Sequence, residues 1–404
     1  MQGTLSPQPG KVWPRSTAPY YPPGSSHVTI GWSFAPVYNP ASKRFVAAIE
    51  VVCDTWSTPV WIAAVSSDRP DGGWVFDRRL GQYGTNCPHM KLLPNGTFAL
   101  IFNAHTSSQY YPANATAPGN PPICVGNVTR PAPAAMEPAA GFLPCGPHES
   151  PEQGHDCLCS RASEHCDSNT SLSSTYMATT ENWPDGPWRM TPLQIMGKGW
   201  APYNATLPSI GTSNPTMALL KDGRAMIGFR SHAGYWPSIH PDHGSGEHIG
   251  FGVSSSIEGP FAITANLSWQ YSNDEDPFVW QQPAGSLHCL YHNGRGNARD
   301  QDPNHGLHAF STDGAVWHKP ADALQWQCAS HIDGGHNCSA MYDNRIEFED
   351  GSRLVLGGRE RPALLFDPET GYPTHLFNGG IGPNASVPWF AMAQRIRAGQ
   401  KERK

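Results

Sequence analysis

Three stretches of this chain set a glycine eight residues after a proline, each inside a run of strand-forming residues. They are NCPHMKLLPNGTFALIFNA (86–104), SNPTMALLKDGRAMIGFRS (213–231) and EDPFVWQQPAGSLHCLYHN (275–293), with Pro88 before Gly96, Pro215 before Gly223 and Pro277 before Gly285. Proline at the first residue of a strand forfeits no ladder hydrogen bond, and Asn-Gly or Asp-Gly between apolar runs closes a tight hairpin. Two looser copies extend the set. FAPVYNPASKRFVAAIEVV (34–52) is anchored on Pro36, and MYDNRIEFEDGSRLVLGGR (341–359) puts Asp343 eight residues before Gly351.

A second pair of strand-like runs follows each hairpin. IAAVSSDRPDGGWVF, YMATTENWPDGPWRM, IGFGVSSSIEGPFAI and LHAFSTDGAVWHKP follow the first four, and RPALLFDPETGYPTHLFNG follows the fifth. The unit therefore has four strands and occurs five times, which predicts an all-β fold, a five-bladed β-propeller of four-stranded antiparallel blades. The anchors are 52, 127, 62 and 66 residues apart. Removing a Cys- and Pro-rich segment, 105–172, brings the long interval to 59 and makes it an insertion in blade two. That segment holds five of the ten cysteines and reads as a disulfide-stapled loop, with a zinc knuckle around Cys157, Cys159, His155 and His165 as the alternative. Cys53 with Cys87 and Cys328 with Cys338 are the pairs guessed outside it. The expected organisation is an N-terminal extension (1–28), one propeller domain (29–390) and a basic tail (391–404).

In such a ring the first strand of each blade lines an axial channel and the second returns beside it. Residues just before the anchors then meet residues about 15 positions later at one mouth. The first set is Asn86, Asn214, Glu275, Asp276 and Asp343; the second is Glu50, Asn103, Arg230, Ser231, His292, Asn293 and Arg359, with Glu360 and Arg361 beside it. Polar groups converging over apolar strands make a ligand site. Glycoside hydrolysis needs two carboxyl groups with separated pKa values, and Glu275, Asp276, Asp343 and Glu50 are the candidates. Asn86, Asn214, Arg230, His292, Arg359 and Arg361 are candidate substrate ligands. The trios Arg230/Arg359/Arg361 and His288/His292/His308 suit a carboxylate, sulfate or sugar hydroxyl, and Trp32 and Trp280 suit a pyranose face.

Blander readings stand beside these. Asp before Pro is a common turn element, the RERP string (359–362) suits a clamp between blades, and His288 and His292 can simply pack. STDGAVW (311–317) resembles a shortened Asp-box, a structural turn, so Ser311, Asp313 and Trp317 are expected to be non-catalytic.

A net charge of −6 without a Lys/Arg cluster argues against nucleic acid, and no apolar run of 18 residues spans a membrane. Eight Asn-x-Ser/Thr sequons (Asn95, Asn114, Asn127, Asn169, Asn204, Asn266, Asn337, Asn384) and ten cysteines read as a secreted, N-glycosylated protein. The N-terminal residues have no apolar core of a signal peptide, so a leader was removed or lies outside this sequence.

NPTMALLKDGRAMIGFR, EDPFVW with LHCLYHN, GLHAFSTDG and RERPALLFD with GYPTHLFNG together resemble the five-bladed arabinanase/levansucrase/invertase superfamily. Within it they are most similar to a group of secreted, glycoside hydrolase family 43-like eukaryotic proteins. The resemblance covers about 32–380 apart from the insertion. It implies a secreted hydrolase acting on an extracellular polysaccharide or glycan, with Glu275 as general acid and Asp276 or Asp343 as its partner. The chain departs from the family at blade one, where no acid precedes Pro36 and Glu50 or Asp54 would have to substitute. A non-catalytic carbohydrate-binding propeller and a sialidase-like or lyase-like enzyme for anionic sugars are the alternatives. No cofactor is expected. A Ca2+ ion in the channel stays open, although no loop shows cation-binding spacing.

Overall fold

The computed structural model describes residues 30–52, 60–80, 85–105, 173–196, 212–231, 248–266, 274–293, 306–318, 340–342, 345–347, 353–381 and 390–396. The described secondary structure is all strand, and no described helix is long and apolar enough to cross a membrane.

Five sheets form the blades. Blade one holds β1 (Ile30–Phe34), β2 (Val37–Asn39), β3 (Arg44–Val52), β4 (Val60–Ser67) and β5 (Val75–Arg79), ordered β1-β3-β4-β5 with β2 also paired to β3. Blade two is the meander β6 (Thr85–Leu92), β7 (Phe98–His105), β8 (Ser173–Thr180) and β9 (Arg189–Pro192). A short strand, β10 (Ile195–Met196), then joins blade three in parallel on its outer strand. Blade three is otherwise antiparallel: β11 (Thr212–Leu219), β12 (Ala225–Ser231), β13 (His248–Ser254) and β14 (Phe261–Asn266). Blade four runs through β15 (Asp274–Gln281), β16 (Leu287–Asn293), β17 (Gly306–Ser311) and β18 (Ala340–Tyr342). A separate hairpin, β19 (Arg345–Glu347) with β20 (Arg353–Val355), precedes blade five, which has β21 (Gly358–Phe366), β22 (Pro373–Ile381) and β23 (Phe390–Arg395).

Three expectations change. The blades hold three to five strands rather than four throughout. The fifth hairpin does not begin at Asp343: β18 completes blade four, and the inner strand of blade five is GRERPALLF. Its anchor is Pro362, nine residues before Gly371, and the extra residue hid it from an eight-residue template. Asp343 and residues 106–172 fall outside the described residues. Blade five extends to Arg395, which pairs with His375, so the boundary expected at 390 lies inside a strand.

The core lies between blades rather than within one centre. Separate buried clusters join blades one and two (Ala48, Ile62, Leu100, Phe102, Tyr176), two and three (Ile101, Met177, Ile227, Phe229, Phe261), and three and four (Phe251, Val279, Tyr291, Trp317). A fourth runs through blades four, five and one (Phe278, Trp280, Leu364, Phe377, Phe34, Ile49) and closes the ring. Each strand face is thus apolar toward a neighbouring blade, because a lone four-stranded sheet has two faces to cover and no helix here to cover them.

The Asp-box turn is structural, as expected. Asp313 Oδ1 accepts the amides of Ala315 (2.8 Å) and Val316 (2.9 Å), and Trp317 stacks on Phe251 with ring centroids 4.1 Å apart.

Candidate active site at the channel mouth

Each inner strand carries the same β-bulge. The register slips between Trp32 and Phe34, Asn86 and His89, Ser213 and Thr216, Glu275 and Phe278, and Glu360 and Ala363. The bulged residues Ser33, Cys87, Asn214, Asp276 and Arg361 all have positive φ, between 51° and 57°. Asn and Asp tolerate this left-handed conformation, whereas Arg and Cys adopt it at a cost. Strain of that kind persists only where surrounding contacts over-determine it, and here it recurs in every blade. In four blades the next residue is proline, whose ring disfavours a helical conformation before it. In blade one it is Phe34, so the ring position is Ser33 and not the residue before Pro36.

The bulges turn five side chains toward the axis, and four of them bond to one another. Asn214 Nδ2 donates to Asp276 Oδ1 (2.5 Å), and the Cys87 thiol donates to Asn214 Oδ1 (2.9 Å). Arg361 Nη1 donates to Asn214 Oδ1 (3.0 Å) and Cys87 Sγ (2.7 Å), while its Nε lies 3.1 Å from Asp276 Oδ1. Cys87 is a free thiol, so the guessed bond to Cys53 is not formed. Burial pushes its pKa up to about 12. Return-strand residues tie blade one to blade two and blade two to blade three: Glu50 Oε2 accepts the Cys87 amide (2.8 Å) and Asn103 Oδ1 the Asn214 amide (2.7 Å). Beneath the ring lies a cavity of ≈ 30 Å³ lined by residues 33–35, 87–89, 214–216, 276–278 and 361–363, three from each blade. It has room for about two waters.

The charged cluster of the mouth sits where blades three, four and five meet. Arg230 Nη1 lies 2.6 Å from Glu275 Oε2, an ion pair. His292 Nδ1 lies 3.6 Å from both Glu275 Oε1 and Asp276 Oδ2, contacts of charge rather than formed hydrogen bonds. Donor atoms of Asp276, His292 and Glu360 lie within 4.8 Å of one another. Burial alone would raise the pKa of Asp276, but Arg361, His292 and Arg230 outweigh it and hold the group at about 2. Burial would likewise lower His292, yet Asp276, Glu360 and Glu275 hold it up at about 9. Glu360 goes the other way: burial, with the charges of Asp276 and Glu275, pushes it up to about 7 against the pull of His292 and Arg361. Glu50 is fully buried, burial raises its pKa, and its Oε1 has no hydrogen-bond partner among the described residues.

These positions sort the sequence candidates. Glu275, Asp276, Asn214, Arg230, His292 and Arg361 come together. Asn86 holds the corresponding place in blade two, opposite Asn103, and Glu50 is on β3 of blade one, opposite Trp32, with its carboxylate on the Cys87 amide. Arg359 turns away: its Nε donates to Asn378 Oδ1 (3.0 Å), it contacts Gln394, and its guanidinium covers the Tyr342 ring at 4.3 Å. It clamps blade five to blade four, and the arginine trio does not converge. Trp280 is buried in the core against His288 and His308, so it offers no face to a sugar and that histidine trio does not converge either. The Trp32 backbone pairs with Glu50. Sequence reasoning undervalued Glu360 and missed Cys87. The shared signal was two residues before a proline: Asn-Cys-Pro, Ser-Asn-Pro, Glu-Asp-Pro and Glu-Arg-Pro. A channel Ca2+ would draw on Asp276, His292 and Glu360. Ca2+ takes six to eight oxygens, water among them, and among the described residues the two carboxylates would supply the protein's share.

The same arrangement of five blades occurs in solved structures. The chain is similar to a thermostable family-43 glycoside hydrolase, with 10% identity, 94% of each chain covered and a TM-score of 0.50. It is similar to an α-L-arabinofuranosidase from Podospora anserina in complex with cellotriose, with 7% identity, 95% of each chain covered and a TM-score of 0.53. It is also similar to the catalytic domain of a family-62 α-L-arabinofuranosidase from Coprinopsis cinerea, with 11% identity, 94% and 95% covered and a TM-score of 0.52. The fold is the five-bladed β-propeller of these glycoside hydrolases. No family model and no curated protein matches the sequence. At these identities the likeness concerns the propeller itself, and the chemistry of its mouth rests on its own residues.

Proposed function

We propose that the propeller hydrolyses glycosidic bonds in an extracellular polysaccharide or glycan, with Glu360 as proton donor and Glu275, on the adjoining blade, as the second carboxylate. One observation carries this reading: Glu360, held near pH 7, stands beside Asp276, held at about 2. That places beside a fixed anion a carboxyl group able to hold a proton near neutral pH, as a proton donor must. The acid role moves from Glu275 to Glu360 because burial and the neighbouring carboxylates push the Glu360 pKa up, while Glu275 is engaged in its ion pair with Arg230. Asp276, bonded to Asn214 and Arg361, is a fixed anion that keeps the Glu360 proton in place. The extracellular setting rests on the eight sequons and ten cysteines; Asn95, exposed on the β6–β7 turn, is placed to carry a glycan.

The second reading, a carbohydrate-binding propeller without turnover, is favoured by blade one, where Ser33 takes the ring position and Glu50 is sealed from solvent. A panel of glycans and aryl glycosides, beginning with arabinofuranosides, separates the two when scored for binding and for release of reducing sugar. The hydrolase reading expects turnover that Glu360→Gln lowers by about 10²–10⁴ while binding persists, with loss of the limb near pH 7. Binding across the panel without turnover by the unaltered chain overturns it.

A further inference from the structure

The hairpin end of blade four, away from the mouth, holds a second group of side chains that the proposed hydrolysis does not use. His288 on β16 and His308 on β17 face each other across the sheet. His288 Nδ1 lies 2.8 Å from His308 Nε2, and the two rings are nearly coplanar, 6° apart with centroids 5.0 Å apart. The nitrogens therefore meet edge to edge. Ser286 Oγ lies 2.9 Å from His288 Nε2. Trp280 backs both imidazoles, with centroids at 5.1 Å and 5.9 Å and tilts of 23° and 24°. Both histidines are only partly buried.

We propose that His288 Nδ1 and His308 Nε2 chelate one divalent transition-metal ion of the zinc, nickel or copper kind. Imidazole is the ligand these ions favour. Ligating histidines are held by a hydrogen bond from the ring's other nitrogen, and Ser286 provides that bond: when His288 Nε2 donates to Ser286 Oγ, Nδ1 keeps its lone pair facing His308. Metal–nitrogen bonds of about 2.0–2.1 Å in a tetrahedral site need the nitrogens roughly 3.3 Å apart. The pair must open by about 0.5 Å, and the two rings can do so by turning on the Trp280 platform. His308 then carries its proton on Nδ1. Water fills the remaining positions, since among the described residues no Cys, Asp, Glu or third His joins the pair.

The test is calorimetric titration of the full chain with Ni2+ and Zn2+, alone and as the His288→Gln/His308→Gln double variant. The unaltered chain is expected to bind one ion more than the double variant, and its Cu2+ complex to show coupling to two nitrogens that the variant lacks. Ser286→Ala, which leaves both ligands in place, is expected to weaken that ion about tenfold. Equal stoichiometry and affinity in the unaltered and double-variant chains, on samples with matching near-ultraviolet circular dichroism, overturns the proposal. Should the double variant fail to fold, an unchanged affinity in Ser286→Ala overturns it.

Discussion

His292 and His288 lie on one strand, four residues or about 13 Å apart, and end in opposite states. Opposite Glu275 at the mouth, with Asp276 and Glu360 around it, His292 is held protonated up to about pH 9. Against Trp280 and His308, with no carboxylate acting on it among the described residues, burial pushes His288 down to about 4. Burial with His288 beside it pushes His308 down to about 3. Both ends are desolvated, and desolvation favours the neutral form at each. What separates them is the ring of bulges, which delivers acids from two adjacent blades to one imidazole and none to the other.

The strongest way to break the contrast is to remove the central anion. Asp276→Asn keeps a residue that accepts positive φ and leaves Arg361 and His292 without their shared partner. It should cost about 3–5 kcal/mol in urea unfolding, against about 1–2 kcal/mol for His308→Leu, which removes a neutral hydrogen bond. Equal costs at the two ends would mean that charge pairing does not organise the mouth.

Changing pH should pull the two ends apart without mutation. Glu360 and His292 have raised folded values, so the Glu360 contribution weakens as pH rises from 4.5 through about 7 and the His292 contribution as pH rises from 6.5 through about 9. His288 and His308 have lowered folded values, so theirs is present above about 6.5 and fades as pH falls through about 4 and about 3. Histidine NMR should show one imidazole titrating near pH 9, and His288 and His308 should stay neutral at pH 5, as should His89, which burial and Lys91 push down. The linkage assignment fails if the unfolding midpoint of His292→Gln follows pH between 7 and 9 as the unaltered chain does.

The smallest expected effect sharpens the picture of the ring. Cys87→Ser should cost about 1 kcal/mol, because a hydroxyl can replace the thiol between Asn214 and Arg361. In the folded chain, a thiol-specific reagent should leave Cys87 unmodified until denaturant is added, since burial keeps the thiolate out of reach of neutral pH.

Much of the architecture was legible in the chain. The prolines Pro88, Pro215 and Pro277 mark three inner strands, and Gly96, Gly223 and Gly285 close their hairpins with φ of 86°, 85° and 102°. Blades one and five were legible in number but not in register. A two-residue shift separates Pro36 from Phe34, and a longer turn separates Pro362 from Gly371. Glu275, Asp276, Asn214, Arg230 and His292 were rightly gathered because spacing along a hairpin fixes which residues face each other. Arg359 and Trp280 were misjudged because strand alternation decides the face a side chain takes, and one residue of register at a bulge reverses it.

Hairpin period and turn chemistry, both local properties, are written in the residues themselves and were enough to determine a ring of five blades. Which acid keeps its proton was decided only by the assembled propeller. Glu360 and Asp276 differ because blade five brings Arg361 onto one and sets the other against like charge, and such energies depend on distances between residues 85 positions apart. No pattern along the chain encodes that separation; closure of the ring does.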